Sequence, residues 1–220
     1  MKKVINNIKS VIFDMDGVIF DSERVWQKAF KLANKKMGVH VSEKFRRTCS
    51  GRPYDLNIQR LKKQIPNIDA EQFMNLANDI YDEEIENNGV IIKDGFIDLV
   101  SYLKNKNIKT ALCTGSRKIK LIKLFQKANL SLDELFDVVI TGDDVKYGKP
   151  EPEPYLKVCE KLGECPNQCL VLEDSINGII SAYSAGTVPV MVIDIIKPDK
   201  ETKRKCLRIV KNLKSIEKLI

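Results

Sequence analysis

Two aspartates stand directly after a short apolar run near the start of the chain, in the stretch VIFDMDGVIFDSE at residues 11–23. Residues 11–13 are all apolar and predict a strand that is buried on both faces. Asp14 and Asp16 follow it, and an extended chain directs alternate side chains to the same face, so both carboxylates can reach one site. Carboxylates beside a buried strand are rarely left without a partner or a coordinated cation. The stretch therefore predicts a site that holds a cation.

Three further groups of polar residues follow apolar runs later in the chain, in the segments TGS, GKPEP and EDS. In an open α/β sheet, ligands bind outside the carboxyl ends of the strands, so these groups are expected to converge on Asp14. TGS also opens a predicted helix, where backbone N–H groups form a seat for an anion. The candidate residues in these segments are Thr114, Gly115, Ser116, Lys149, Glu173 and Asp174.

The carboxylates in this set predict which ligand the site takes. Several carboxylates close together would repel each other and be driven towards protonation unless a cation compensates them. Mg²⁺ suits such a site, because it is typically held by a few carboxylates, waters and substrate phosphate. Lys149 and Thr114 would then contact the phosphate oxygens. Alone, Lys149 could be a turn lysine and Glu173 and Asp174 could be helix caps, but their order at successive strand ends favours a magnesium and phosphate site.

The elements that position these residues alternate between strand and helix. Short apolar runs such as SVIFD, KTALC, DVVIT, CLVLE and VPVMVI are separated by segments with helical periodicity. This alternation predicts an α/β fold with a doubly wound parallel sheet. Residues 22–93 break the pattern, because they contain only amphipathic helical stretches. We expect residues 1–21 and 94–220 to form the core, and residues 22–93 to form an inserted α-helical cap.

The composition excludes several classes of protein. The 220 residues include 43% apolar and 30% charged side chains, as in a globular protein. No run is long enough for a transmembrane helix, and the N-terminus lacks the apolar stretch of a signal peptide. The six cysteines have no C-x-x-C spacing, so we expect reduced thiols in a cytoplasmic monomer and not a zinc site. His40 is the single histidine and lies in a polar loop pattern, which disfavours a Ser-His-Asp triad.

The net charge of +7 admits a polyanionic partner, and the densest basic run covers residues 197–214. That run has few aromatic residues to stack on bases and no recognition motif. We therefore expect a solvated basic surface, no nucleic-acid partner and no membrane partner. The same charge would steer small phosphorylated molecules towards the protein.

The four segments DMDGVIFDSE, TGS, GKPEP and LEDSINGI resemble the motifs of the haloacid dehalogenase superfamily. The resemblance covers nearly the whole chain. It is closest to the subgroup of phosphatases and β-phosphoglucomutase-like proteins, whose Rossmann-like core carries a helical cap inserted after the first motif. The superfamily's dehalogenases generally lack the second aspartate, so Asp16 indicates phosphoryl transfer.

The resemblance implies a catalytic role for each residue of the first two motifs. Asp14 would be the nucleophile that forms an aspartyl-phosphate. Asp16 would protonate the leaving oxygen and then deprotonate the attacking water. Thr114 and the backbone amides of Gly115 and Ser116 would hold the phosphoryl group. A covalent carboxylate intermediate splits one difficult displacement into two easier ones, which agrees with these roles.

The resemblance also implies a metal site and a charge partner. Lys149 would neutralise charge between Asp14 and the phosphate. Asp174 would bind Mg²⁺ together with Asp14 and the backbone carbonyl of Asp16. Glu173 would support the metal directly or through water.

The resemblance leaves a choice between hydrolysis and phosphate migration within one sugar. The β-phosphoglucomutases carry a histidine on the helix after the first motif and a cap-loop arginine. Ungapped counting puts Trp26 at the histidine position and Tyr54 at the arginine position, with Arg52 two residues away. Indole is only a hydrogen-bond donor, so Trp26 cannot replace the histidine. We expect a phosphatase for small phosphorylated metabolites, with sugar phosphates as the favoured class and a phosphosugar mutase as the alternative.

Two cap residues are candidates for substrate binding. Trp26 and Arg52 are predicted to face the site, Arg52 within the loop SGRPYD at residues 50–55, if the bundle closes as a lid. Four other aromatic residues of the insertion are predicted to pack the bundle: Phe30, Phe45, Phe73 and Tyr81.

A phospho-accepting receiver domain is the rival from another functional class. Receivers also place aspartates, a hydroxyl residue and a lysine at strand ends. Their phosphorylated aspartate follows the third strand, however, and they lack a long insertion after the first. The Asp-x-Asp segment after the first strand therefore disfavours a receiver.

Overall fold

The structure is a computed structural model that describes residues 7–49, 52 and 54–220. Within these residues, a six-stranded sheet has the order β3-β2-β1-β4-β5-β6, and every neighbouring pair is parallel. The strands are β1 (Ser10–Phe13), β2 (Lys109–Cys113), β3 (Val138–Ile140), β4 (Cys169–Glu173), β5 (Val188–Val192) and β6 (Arg208–Val210). The strand order reverses beside β1, which places its carboxyl end at the point where such sheets bind ligands.

Helices connect the strands, and the predicted doubly wound α/β fold is confirmed. The first connection, from β1 to β2, holds four helices before its fifth packs against the sheet. The helices are α1 (Ser22–Met37), α2 (Glu43–Arg47), α3 (Tyr54–Gln64), α4 (Ala70–Asn88), α5 (Phe96–Asn105), α6 (Lys118–Lys127), α7 (Leu132–Leu135), α8 (Glu153–Leu162), α9 (Ile176–Ser184) and α10 (Lys200–Lys205). Among the described residues, none of these helices combines the length and apolarity needed to cross a bilayer.

The central strand β1 is covered on both faces, as its unbroken apolar sequence predicts. Phe13 belongs to a cluster that includes residues of α5 and α6, whereas Ile12 belongs to a cluster with residues of α8 and α9. Both side chains are fully buried. The strand that carries Asp14 is therefore held rigidly between two helical layers.

Two linkers join the α1–α4 segment to the sheet, and they pair with each other. The Asp21 N–H donates to the Ile91 carbonyl at 2.9 Å, and the Lys93 N–H donates to the Ile19 carbonyl at 2.7 Å. Phe20 and Ile92 form an antiparallel bridge between these bonds. The chain therefore leaves and re-enters the sheet layer at one place, close to the carboxyl end of β1.

The basic run at residues 197–214 forms more structure than a solvated surface requires. It contains α10 and the edge strand β6, whose Ile209 lies opposite Met191 of β5. The sequence analysis did not predict β6, because a three-residue strand that includes an arginine is too short to show a strand pattern. Basic side chains also suit an edge strand, where they oppose pairing with another chain.

Candidate active site

The carboxyl ends of three strands bring the motif residues to one cavity of about 570 Å³. Asp14 and Asp16 follow β1, Thr114 follows β2, and Asp174 follows β4. All four line the cavity, together with Gly115 and Ser116. The predicted convergence of these segments at one edge of the sheet is therefore observed.

Lys149 links the first and fourth motifs beneath the cavity floor. Its ammonium donates to Asp14 Oδ1 at 2.6 Å, to Glu173 Oε1 at 2.6 Å and to the Cys113 carbonyl at 3.0 Å. Only 1% of the residue is exposed. Burial opposes its charge, but the carboxylates of Asp14 and Glu173 outweigh this and raise the pKa of Lys149 well above its usual value. The ammonium is therefore a fixed positive charge that orients the Asp14 carboxylate.

Both oxygens of Glu173 are occupied by hydrogen bonds. Oε1 accepts from Lys149 and from the Tyr155 hydroxyl at 2.8 Å. Oε2 accepts from the Ser175 backbone N–H at 3.1 Å and from its hydroxyl at 3.0 Å. Gly178 makes room for this carboxylate, since a Cβ on Gly178 would collide with it. Sequence reasoning missed Tyr155, although its position in the helix that follows GKPEP could have suggested it.

Three carboxylates at this edge fit a bound cation. Oxygens of Asp14, Glu173 and Asp174 lie within 4.8 Å of one another, and all three residues are buried. Burial, with further repulsion from Glu173 and Asp16, raises the pKa of Asp14 to about 8 even though Lys149 opposes the shift. Burial and the nearby carboxylates of Glu23, Glu173 and Asp14 raise the pKa of Asp174 well above its usual value.

One oxygen of Asp174 gives the most direct indication of a metal site. Its Oδ2 is buried and has no hydrogen-bond partner among the described residues. A buried carboxylate oxygen without a partner is costly unless a cation coordinates it. Gly17 keeps the space around it open, because a Cβ on Gly17 would collide with the Asp174 carboxylate. The donors are all hard oxygens, which suit a hard cation.

Asp16 is held by hydroxyls and by one lysine. Its carboxylate accepts from the Ser22 hydroxyl, from the Ser116 hydroxyl at 2.8 Å, and from Lys120 Nζ at 2.9 and 3.0 Å. Burial raises the pKa of Asp16, but the Lys120 charge and these hydrogen bonds outweigh it and hold the pKa below its usual value. Lys120 was not predicted. It lies four residues after Ser116, one helical turn along α6, and that spacing was the available signal.

The TGS segment forms a tight loop beside Asp16. The Thr114 hydroxyl is buried and accepts from the Ser116 backbone N–H at 3.1 Å. Gly142 approaches the Gly115 carbonyl so closely that a Cβ on Gly142 would overlap it. The loop thus presents a preformed polar surface at the N-terminal end of α6.

Both predicted cap candidates lie in the cavity wall opposite this loop. Trp26 stacks on Tyr81 with ring centroids 4.4 Å apart. Arg52 lines the cavity, and its Nε donates to the Thr48 carbonyl at 3.1 Å. Tyr54 lines it as well, whereas residues 50, 51 and 53 of the same loop lie outside the described residues.

A buried ion pair in the same wall was missed by sequence reasoning. Arg46 of α2 donates to Glu23 Oε2 of α1 at 2.8 Å, and only 3% of Arg46 is exposed. Glu23 sits in the DSE sequence after the first strand, which could have flagged it. Nothing in the sequence around Arg46 pointed to a buried partner.

Comparisons with known proteins agree with this arrangement. A family model described as haloacid dehalogenase-like hydrolase matches residues 8–186. A phosphorylated carbohydrates phosphatase from Thermotoga maritima is 32% identical over 81% of this chain and 82% of its own length. Hexitol phosphatase A from Escherichia coli is 28% identical over 81% of this chain and 80% of its own. The crystal structure of a hydrolase from Pseudomonas syringae superposes with a TM-score of 0.81 and 24% identity, covering 96% of this chain and 97% of that one.

Gly178→Ala should destabilise the protein. In a helix interior, alanine normally stabilises by about 1 kcal/mol relative to glycine. Here the new methyl group would strike the Glu173 carboxylate, and overpacking a buried site costs about 1–3 kcal/mol. Urea unfolding should show a net loss of stability, whereas Ser184→Ala on the exposed side of the same helix should change the unfolding free energy by less than ~0.5 kcal/mol. A stabilised Gly178→Ala protein would contradict the packing described for Glu173.

Proposed function

The chain belongs to the haloacid dehalogenase-like hydrolases and is a phosphatase, and we propose that it hydrolyses small phosphorylated metabolites with Mg²⁺ through an aspartyl-phosphate on Asp14. The observation that carries this proposal is the Asp14 carboxylate itself. It stands at the end of the central strand, oriented by the buried Lys149 ammonium at 2.6 Å, and it lines the same cavity as Asp16.

The proposed reaction divides its two roles between Asp14 and Asp16, which line the same cavity. In the first half, an Asp14 oxygen forms a bond to phosphorus, the bond from phosphorus to the ester oxygen breaks, and Asp16 gives a proton to the departing oxygen. In the second half, Asp16 takes a proton from water as the water oxygen bonds to phosphorus, and the bond from Asp14 to phosphorus breaks. Inorganic phosphate and free Asp14 are the products. A positioned acid and base of this kind typically contributes a factor of about 10²–10⁴.

Fixed polar groups would hold the transferring phosphoryl group. Lys149 supplies a positive charge that is already in place before substrate arrives. Thr114, Gly115 and Ser116 line the same cavity, and their hydroxyl and amide groups would contact the phosphoryl oxygens. Groups aligned in advance stabilise developing charge without having to reorganise during the reaction.

Asp14, Asp174 and the backbone carbonyl of Asp16 would hold the Mg²⁺ ion. The unpartnered Oδ2 of Asp174 supports this assignment. Glu173 would contact the metal through water more readily than directly, because each of its two carboxylate oxygens already accepts two hydrogen bonds. When bound, Mg²⁺ would neutralise negative charge on the phosphoryl group.

Phosphorylated carbohydrates are the proposed substrate class, supported by the activity that names the Thermotoga relative. Residues 22–93 would form the cap over the core made by residues 1–21 and 94–220, with Trp26 and Arg52 facing the carbohydrate. We also propose a cytoplasmic location, because the six cysteines, all within the described part of the chain, are free thiols. A monomer is the proposed oligomeric state. No nucleic-acid partner is proposed.

Asp14→Asn should lower the rate of phosphate release by at least ~10³, because an amide is not a competent nucleophile at phosphorus. Phosphate release from a panel of sugar phosphates is the measurement, and thermal unfolding should show an intact fold. Asp133→Asn, an exposed aspartate on α7, is the matched control and should keep normal turnover. Near-normal turnover by Asp14→Asn would refute the covalent mechanism.

Removal of divalent metal should abolish hydrolysis, and added Mg²⁺ should restore it. Ca²⁺ should not substitute, because its larger and looser coordination disturbs in-line attack. Asp174→Ala should sharply raise the Mg²⁺ concentration needed for half-maximal rate, whereas Asp143→Ala at the cavity mouth should not. Full activity in excess chelator would rule out the metal assignment.

Phosphorus NMR should separate hydrolysis from mutase activity. With β-glucose 1-phosphate and a trace of the corresponding bisphosphate, we expect inorganic phosphate and little or no glucose 6-phosphate. The reason is that Trp26 cannot provide the protonatable hydrogen-bond signal that a mutase needs to exclude water. Rapid formation of glucose 6-phosphate without matching free phosphate would support the mutase instead.

A further inference from the structure

Lys120 is a partly buried lysine that has no role in the reaction described above. It lies in the first turn of α6, and its side chain is 19% exposed. Nζ reaches both oxygens of Asp16, at 2.9 and 3.0 Å, and the Ser116 hydroxyl at 3.3 Å. Lys120 therefore contacts both oxygens of the Asp16 carboxylate, whereas the Ser22 and Ser116 hydroxyls each contact one oxygen.

The same ammonium also contacts the helical segment. It lies 5.4 Å from the Trp26 ring centroid and 4.9 Å from the Tyr81 ring centroid. Trp26 belongs to α1 and Tyr81 to α4, and their rings stack at an interplanar angle of 20°. Cations are attracted to the faces of such rings. Lys120 therefore touches the sheet edge and the α1–α4 segment at once.

Other lysines of α6 behave differently. Lys123 pairs with Asp82 and Glu86 on the surface of α4, and Lys127 pairs with Glu86. These ion pairs are exposed to solvent, and such pairs contribute little to the free energy of unfolding. Lys120 instead lies at the boundary between Asp16 and the aromatic pair, where solvent is partly excluded and ion pairs are screened less. Its position is not explained by a need for surface solubility.

We propose that Lys120 is a positioning residue that holds Asp16 in the orientation needed for proton transfer to the leaving oxygen, and that its aromatic contacts make this orientation depend on the position of the α1–α4 segment. The inference rests on the proposed function. Without Lys120, the partners left to the Asp16 carboxylate among the residues that the structure describes are the two hydroxyls, so it can turn more freely about its side-chain bonds. Proton transfer requires a donor within hydrogen-bond reach of the departing oxygen, so a misplaced Asp16 slows the step that needs it.

The test compares two phosphate esters of similar shape that differ in their need for an acid. 4-Nitrophenolate leaves readily without a proton, whereas phenolate is a poorer leaving group. With phenyl phosphate, Lys120→Met should lower kcat/KM by about 10-fold or more, because kcat/KM includes the step in which the ester oxygen departs. With 4-nitrophenyl phosphate the loss should be about threefold or less. A role confined to stability or to substrate binding would lower both values by the same factor.

Matched variants complete the design. Lys120→Arg retains a cation for Asp16 and should recover most of the activity on phenyl phosphate. Lys123→Met, on the same helix, should leave both values unchanged. Trp26→Leu should reduce activity on phenyl phosphate selectively, and combining it with Lys120→Met should add little further selective loss, since residues that act through one contact are not additive.

Each outcome decides a different question. Equal losses on the two esters, no loss, or a gain with Lys120→Met would overturn the positioning role. Full additivity of Trp26→Leu and Lys120→Met would overturn the dependence on the α1–α4 segment. If the unmodified protein with Mg²⁺ hydrolyses neither ester nor any sugar phosphate, the proposed function fails, and this inference fails with it.

Discussion

The buried ammonium of Lys149 is the interaction on which the site depends. It joins Asp14 from the first strand to Glu173 from the fourth, and it also bonds the carbonyl that ends β2. One positive charge cannot balance the carboxylates gathered there, and Asp174 keeps a buried oxygen without a partner among the described residues. The carboxyl edge of the sheet therefore carries more negative than positive charge, and a bound cation would balance the excess. This excess of negative charge is the reason to expect a cation-dependent reaction at this edge.

The two sides of the cavity have different physical characters. On the sheet side, strand ends and tight loops hold the groups proposed to act on phosphorus, and glycines such as Gly17 and Gly178 leave room for carboxylates. The α1–α4 segment contributes aromatic, amide-bearing and charged residues to the cavity lining. Asp16 lies between these sides. It belongs to the sheet edge, yet Lys120 ties it to rings contributed by the helices.

Local patterns and one topological rule made most of the fold and the central site predictable. Apolar strands, polar strand ends and convergence at the carboxyl edge placed Asp14, Thr114, Lys149 and Asp174 correctly beside one another. Contacts between distant elements were not accessible in this way. Lys120 meets Asp16 across 104 positions of sequence, and the one local signal was the position of Lys120 a helical turn after Ser116. The pairing of Arg46 with Glu23 and the edge strand β6 were missed for the same reason, since each is decided by tertiary packing and not by local periodicity.

Pairing of the two linkers brings both ends of the α1–α4 segment to one place on the backbone. Asp21 bonds Ile91, and Lys93 bonds Ile19, so the chain departs and returns through adjacent backbone positions. No strand of the described sheet lies between those positions. A foreign insert spliced between them would leave every strand register intact, provided that its own ends were equally close. The α1–α4 segment could therefore be replaced as a unit without any change to the pairing of the strands whose ends carry Asp14, Thr114 and Asp174.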